Sequence, residues 1–187
     1  MDDAPLILTL RFDETSFARF DAERRLHFPP AHNHIPAHLT LFHHLPSDRH
    51  GEITDGLASV GARQAPFHLT VSSLRFLGQG TAYVIDSPEL QRLRAEIAGR
   101  WSAHLTRQDA EGFRPHVTIQ NKTAAATAKA LFEKLSTSFE PFEVLTTGFL
   151  LWRYRGGPWE PAGEHRFIGS ALGPESARRE TETERRS

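Results

Sequence analysis

Two stretches of this chain repeat each other, and the repeat limits the fold more than any other feature. His38-Leu39-Thr40-Leu41 returns 78 positions later as His116-Val117-Thr118-Ile119. Behind each lies a segment with helical apolar spacing, then a run that opens on Pro-Phe. These runs are Pro66-Phe67-His68-Leu69 and Pro141-Phe142-Glu143-Val144, 75 positions apart. The order strand, helix, strand therefore occurs twice at nearly the same spacing, which predicts an internal duplication. Hairpin-type connections between the remaining runs predict α+β architecture with mainly antiparallel sheet, not a doubly wound parallel sheet.

The other elements follow from local pattern. Leu6 to Leu10 reads as a strand, and Asp13 caps a helix with Phe17 and Phe20 on one face. His27 to Pro36 is a Pro/His/Asn loop that cannot be regular helix. Ile53, Leu57 and Val60 mark a helix, Phe67 to Phe76 a strand, and Thr81 to Ile85 its return. Ser87-Pro88 starts a helix whose apolar stripe runs from Leu90 to Leu105. Gln108 to Gly112 reads as a polar loop and Pro115 to Gln120 as a strand. Thr123 begins an Ala-rich helix, Phe142 to Trp152 is a long strand, and Arg166 to Ile168 the last one. The Pro174 to Ser187 tail has no large apolar residue and is expected to be disordered. This gives one domain over 1–172, with lobes centred on 38–85 and 115–168, then a charged tail over 173–187.

The repeated motif carries chemistry. Side chains alternate faces along a strand, so His38 and Thr40 share one face while Leu39 and Leu41 take the other. His116 and Thr118 likewise share a face, backed by Val117 and Ile119. If a pseudo-two-fold axis relates the halves, the two pairs face each other across one cleft. A phosphate there would meet two imidazoles and two hydroxyl donors. One neutral His can take a proton from an attacking water or hydroxyl while the other, as imidazolium, protonates the leaving oxygen. The Thr hydroxyls can donate to the non-bridging oxygens, whose charge grows in the transition state. A 2′-hydroxyl beside the phosphate is a built-in nucleophile, so RNA and 2′,3′-cyclic phosphates are the natural substrates.

Composition narrows the alternatives. The 187 residues include no Cys, which excludes disulfides, Cys-ligated zinc, iron–sulfur clusters and thiol nucleophiles. Net charge is −1, against a protein that coats long duplex nucleic acid, yet compatible with a pocket for one or two phosphates. No stretch approaches the ~18 apolar residues of a membrane span. The Met1 to Pro5 segment is acidic and precedes no charged-then-apolar leader, so a cytoplasmic location is expected.

The two His-x-Thr motifs, the second within Arg114-Pro115-His116-Val117-Thr118-Ile119, resemble those of the 2H phosphoesterase superfamily. Ala37-His38-Leu39-Thr40-Leu41-Phe42-His43 and Pro115 to Lys122 look most like its bacterial 2′-5′ RNA ligase-like (2′,3′-cyclic phosphodiesterase) branch. The resemblance spans about Leu6 to Ile168. It implies a bilobal, pseudo-two-fold fold with a cleft between two small antiparallel sheets. It also implies cyclic phosphodiesterase or reversible RNA-ligating activity without a cofactor, on RNA ends or small cyclic-phosphate nucleotides. His38 and His116 would be the catalytic pair, and Thr40 and Thr118 the phosphate donors.

Further groups are candidates for substrate contact. Arg114, Gln120 and Lys122 continue the His116 face by period two. Arg153 and Tyr154 lie near a Gly-Gly turn, where an aromatic ring with Arg suits base stacking and phosphate contact. The chain holds 11 His, six of them between His32 and His50. The Pro-rich backbone there defines no His-x₃-His face, and no metal site is expected. His68, although in a third His-x-Thr, matches Glu143 in the second half and reads as a strand-surface residue. Period two puts His44, not His43, on the His38 face. A monomer is expected. Two other readings stay open: a nucleotide- or phosphate-binding module without turnover, and a His-rich metal hydrolase.

Overall fold

The computed structural model describes residues 4–170, and the 173–187 tail lies outside them. Seven antiparallel strands form one curled sheet against helices. The strands are β1 (Leu6–Phe12), β2 (Thr40–Leu45), β3 (Phe67–Phe76), β4 (Thr81–Asp86), β5 (His116–Gln120), β6 (Phe142–Arg153) and β7 (Glu160–Arg166). The helices are α1 (Glu14–His27), α2 (His50–Arg63), α3 (Pro88–Arg100), the single-turn α4 (Arg107–Ala110) and α5 (Ala125–Ser136). The order across the sheet is β2-β1-β6-β3-β4-β5, with β7 also paired to β6.

The α+β antiparallel class is as the sequence predicts, but the expected pair of small sheets is one sheet. The reason is β6. Its first part, Phe142 to Thr146, pairs with β3, and its second, Gly148 to Arg153, pairs with β7. Both groups of strands therefore share one backbone. Gly148 sits where the partner changes, and a Cβ there would lie 2.3 Å from the His165 carbonyl oxygen. Only glycine admits that approach. The strands do not divide at the middle of the chain either. The first motif strand, β2, lies beside β1, whereas the second, β5, lies beside β4.

The local signals explain the elements. Asp13 caps α1 by accepting from the Ser16 N–H at 3.1 Å. Ser87 caps α3 by accepting from Leu90 N–H at 3.1 Å, with Pro88 in the first turn. Leu90, Leu93 and Ile97 of α3 join Ile53, Leu57 and Val60 of α2 in one core with Leu6, Leu8, Leu39, Leu41, Val117 and Ile119. Three expectations are corrected. Helix α3 ends at Arg100, and Leu105 packs from beyond a 3₁₀ turn over Ser102–His104. The 108–112 loop begins with α4, capped by Thr106. The last strand is Glu160–Arg166, a polar partner of β6 for which period two gave no apolar signal, while Phe167 enters the core just after it.

Candidate active site

Both motifs deliver their polar face to one cleft. Leu39 and Leu41, Val117 and Ile119 are buried, while His38, Thr40, His116 and Thr118 line the same cavity of about 400 Å³. Each imidazole is oriented alike. His38 donates from Nδ1 to the carbonyl oxygen of Pro36 at 2.8 Å, and His116 donates to that of Arg114 at 2.9 Å. A carbonyl only accepts, so Nδ1 carries the proton and Nε2 is the nitrogen left for chemistry. The rings are half-buried.

Helix α1 fixes the approach of the chain to His38. Asp21 accepts from the Ala37 N–H at 3.0 Å. Arg24, 4% exposed, donates from Nε to Asn33 Oδ1 at 2.8 Å and to the Ile35 carbonyl at 3.1 Å. Its third bond, at 2.8 Å, reaches the Thr118 carbonyl on the other motif strand. One buried guanidinium thus ties the loop before His38 to the strand that carries Thr118. On the outer side, the His38 ring meets Trp159 at a centroid distance of 4.7 Å, and Trp159 meets Trp152 at 6.2 Å.

Three arginines, Arg75, Arg94 and Arg114, line the cleft, together with the carboxylates of Asp109 and Glu111. Arg75 is placed by register: it lies opposite Ala82, which lies opposite Thr118. Ala82 between them is small and fully buried. Burial holds both imidazoles below the ordinary His value, His38 down to about 4. For His38 the Pro36 carbonyl opposes this, while Arg24, His116 and His43 add to it. For His116 the Arg114 carbonyl opposes, and Arg75 and His43 add to it.

Other expected residues divide. Arg114 lines the cleft with the four motif residues. Lys122 and Tyr154 line an adjoining cavity of about 730 Å³ that also reaches His38 and Thr118. Gln120 and Arg153 do not reach either cavity. The β4–β5 register shifts between Thr118 and Gln120, so the period breaks and Gln120 is buried. Arg153 ends β6, in register with Leu6 and Glu160. His68 is exposed on β3 and outside the cleft, as the repeat suggests. Among the described residues, no three His, Cys, Asp or Glu side chains are grouped as a metal ion requires. No described helix is long and apolar enough to cross a membrane.

Sequence reasoning missed Arg24, Arg75, Arg94, Trp159, His43 and Asp109. His43, not His44, lines the cleft, because β2 carries an irregularity. Thr9 pairs with Thr40 but Leu8 pairs with Phe42, leaving Leu41 as an extra residue. Such a bulge reverses the alternation, so both Leu41 and Phe42 are buried and His43 turns to the cleft.

Proteins of known structure share this architecture. Residues 12–158 match the family model described as the 2′-5′ RNA ligase superfamily. Among solved structures, TT0787 of Thermus thermophilus is similar at 17% identity and TM-score 0.61, covering 89% of this chain and 99% of its own. Escherichia coli LigT complexed with 3′-AMP is similar at 18% identity and TM-score 0.55, with the same coverage. LigT complexed with ATP gives 19% identity and TM-score 0.54, again covering 89% and 99%. No curated protein matches the chain.

Proposed function

The chain belongs to the 2′-5′ RNA ligase superfamily, and on that footing we propose that it is a phosphoesterase acting on 2′,3′-cyclic phosphates or 2′-5′ phosphodiester linkages. The observation that carries the reading is the matched pair of imidazoles. Both have Nδ1 bound to the carbonyl two residues back, and both line one cleft with a Thr hydroxyl. The adenine nucleotides in the LigT complexes are consistent with small nucleotide ligands.

In hydrolysis, His38 Nε2 takes a proton from a water that attacks phosphorus. The bond from phosphorus to the 2′ or 3′ oxygen breaks, and protonated His116 gives its Nε2 proton to that oxygen. The products are a phosphomonoester and a free hydroxyl. His38 is assigned the base because its environment disfavours the charged ring more strongly. In reverse, a ribose hydroxyl replaces water and the roles exchange. Thr40, Thr118, Arg75 and Arg114 face the non-bridging oxygens, where charge grows. The step needs only proton transfer and electrostatic stabilisation, so no cofactor is required.

The test is turnover of 2′,3′-cyclic nucleotides and cyclic-ended oligoribonucleotides, with chelator present. Product from the wild-type protein, and none from His38→Ala or His116→Ala, is the expected result. Wild-type rates in both variants would overturn the reading. Tight nucleotide binding with no product would instead identify a binding module.

A further inference from the structure

The cleft contains a third imidazole that the two-histidine chemistry leaves unused. His43 stands close enough to His38 and His116 to act electrostatically on both. Its placement is built, not incidental. The bulge at Leu41 turns it to the cleft, and the side chain of Asp109 on α4 then holds it. That carboxylate is 2% exposed. It accepts from the His43 N–H at 2.9 and 3.1 Å and from the His44 N–H at 2.9 Å. It also meets the His43 ring at Nδ1, 3.2 Å away, and the Thr106 hydroxyl at 3.4 Å.

Asp109 is itself kept ionised. Burial opposes the charge, but the bonds from the His43 ring and from the His43 and His44 backbone outweigh it and hold the group below its ordinary range. Two backbone N–H groups would have satisfied a mere cap. The added bond to Nδ1 orients the ring, whose side chain stays half-exposed to the cleft. With Nδ1 committed to Asp109, Nε2 is the ring nitrogen that remains for a ligand in the cleft.

We infer that His43 is an anion-binding residue of the cleft: as an imidazolium it bridges buried Asp109 at Nδ1 and a non-bridging phosphate oxygen at Nε2. Both ring nitrogens can donate at once only when each carries a proton, and each then makes one charge-assisted bond. The charged and titratable groups that face it are His38 just before its own strand, Asp109 from α4, Glu111 just after α4 and Arg94 from α3, with Arg75 from β3, Arg114, and His116 of β5, beside the Thr40 and Thr118 hydroxyls. In the adjoining cavity it shares the wall with Arg24, His32, His34 and Lys122. His43 therefore adds a proton-dependent contact to those that Arg75 and Arg114 supply at any pH. It has no proton-transfer role in the step itself. The inference shares with the proposed function only the premise that this cleft takes a phosphate-like anion.

Sulfate is the probe, because its charge does not change across the His range. Its affinity is measured by calorimetry at about pH 5.5 and about pH 8 on the wild-type chain, His43→Ala and His43→Arg. The wild type is expected to bind more tightly at the lower pH. His43→Ala should lose about tenfold at the lower pH and little at the higher, the size of one charge-assisted hydrogen bond. His43→Arg should restore affinity and make it nearly independent of pH, a result that a purely structural role for His43 would not produce. Near-UV circular dichroism establishes that both variants are folded. Unchanged sulfate affinity in folded His43→Ala, or failure of folded His43→Arg to rescue, would overturn the inference. So would a wild type that binds no sulfate while turning over substrate, a result that leaves the phosphoesterase reading intact.

Discussion

His38 and His116 are held by the same bond: each ring donates from Nδ1 to the carbonyl oxygen two residues upstream, at 2.8 Å on Pro36 and 2.9 Å on Arg114. Asparagine places an amide N–H near the Nδ1 position and has nothing at Nε2. His38→Asn and His116→Asn are therefore expected to stay folded and lose about 10³-fold in kcat, the scale of a lost general acid or base. Steady-state turnover of a 2′,3′-cyclic nucleotide measures this. A variant that keeps a tenth of wild-type kcat would remove its residue from proton transfer.

The pH profile of kcat/KM tests the assignment of base and acid. His38 must be neutral to accept a proton, and burial holds it at about 4. Activity is therefore expected to rise with pH through about 4. His116 must be protonated to act as the acid, and burial puts it below its ordinary 6.5. Activity should then fall as pH rises through a value under 6.5. The sum is a bell with an acidic optimum. A profile that keeps rising above neutrality would show that His116 does not carry the transferred proton.

Thr40 and Thr118 are half-buried and line the cleft, and Val is their near-isostere. Thr40→Val and Thr118→Val are each expected to lower kcat by about 10²-fold, typical of one donor to a developing oxyanion. KM should change much less, because the interaction strengthens as charge grows. A rise in KM alone would make these groups ground-state binders.

The four motif residues were legible because they lie in or directly before a strand, in extended chain where period two sorts apolar Leu39, Leu41, Val117 and Ile119 from the polar residues between them. What surrounds them was not. His43 was hidden by the bulge at Leu41, and Gln120 was misplaced by the shift after Thr118. A single extra residue reverses every side chain beyond it. Arg75 comes to Thr118 by way of Ala82, two strands over, and such a row exists only once register is known. Asp109 meets His43 across 66 positions, from the single-turn α4, a stretch whose composition marks it only as polar. The single sheet escaped for a similar reason, since nothing local in β6 tells that it changes partners at Gly148.

Arg24 joins the two motifs, and its removal should register both in stability and in the pH profile. The buried guanidinium donates to Asn33 and Ile35 before His38, and to Thr118 on β5. Arg24→Met keeps an apolar stem over the Phe28 ring, which lies 4.1 Å from the guanidinium carbon. It leaves three acceptors without their charged donor. The expected cost is about 3 kcal/mol, or a Tm lower by about 6–12 °C for a domain of this size. Arg24 also lowers the His38 pKa by charge repulsion. Without it, His38 should gain its proton at higher pH, and the acid limb of kcat/KM should move up from about 4. A scanning calorimetry trace and one pH series on the same variant check both. If Tm and the acid limb both stay at their wild-type positions, Arg24 is not the link between the His38 loop and the Thr118 strand.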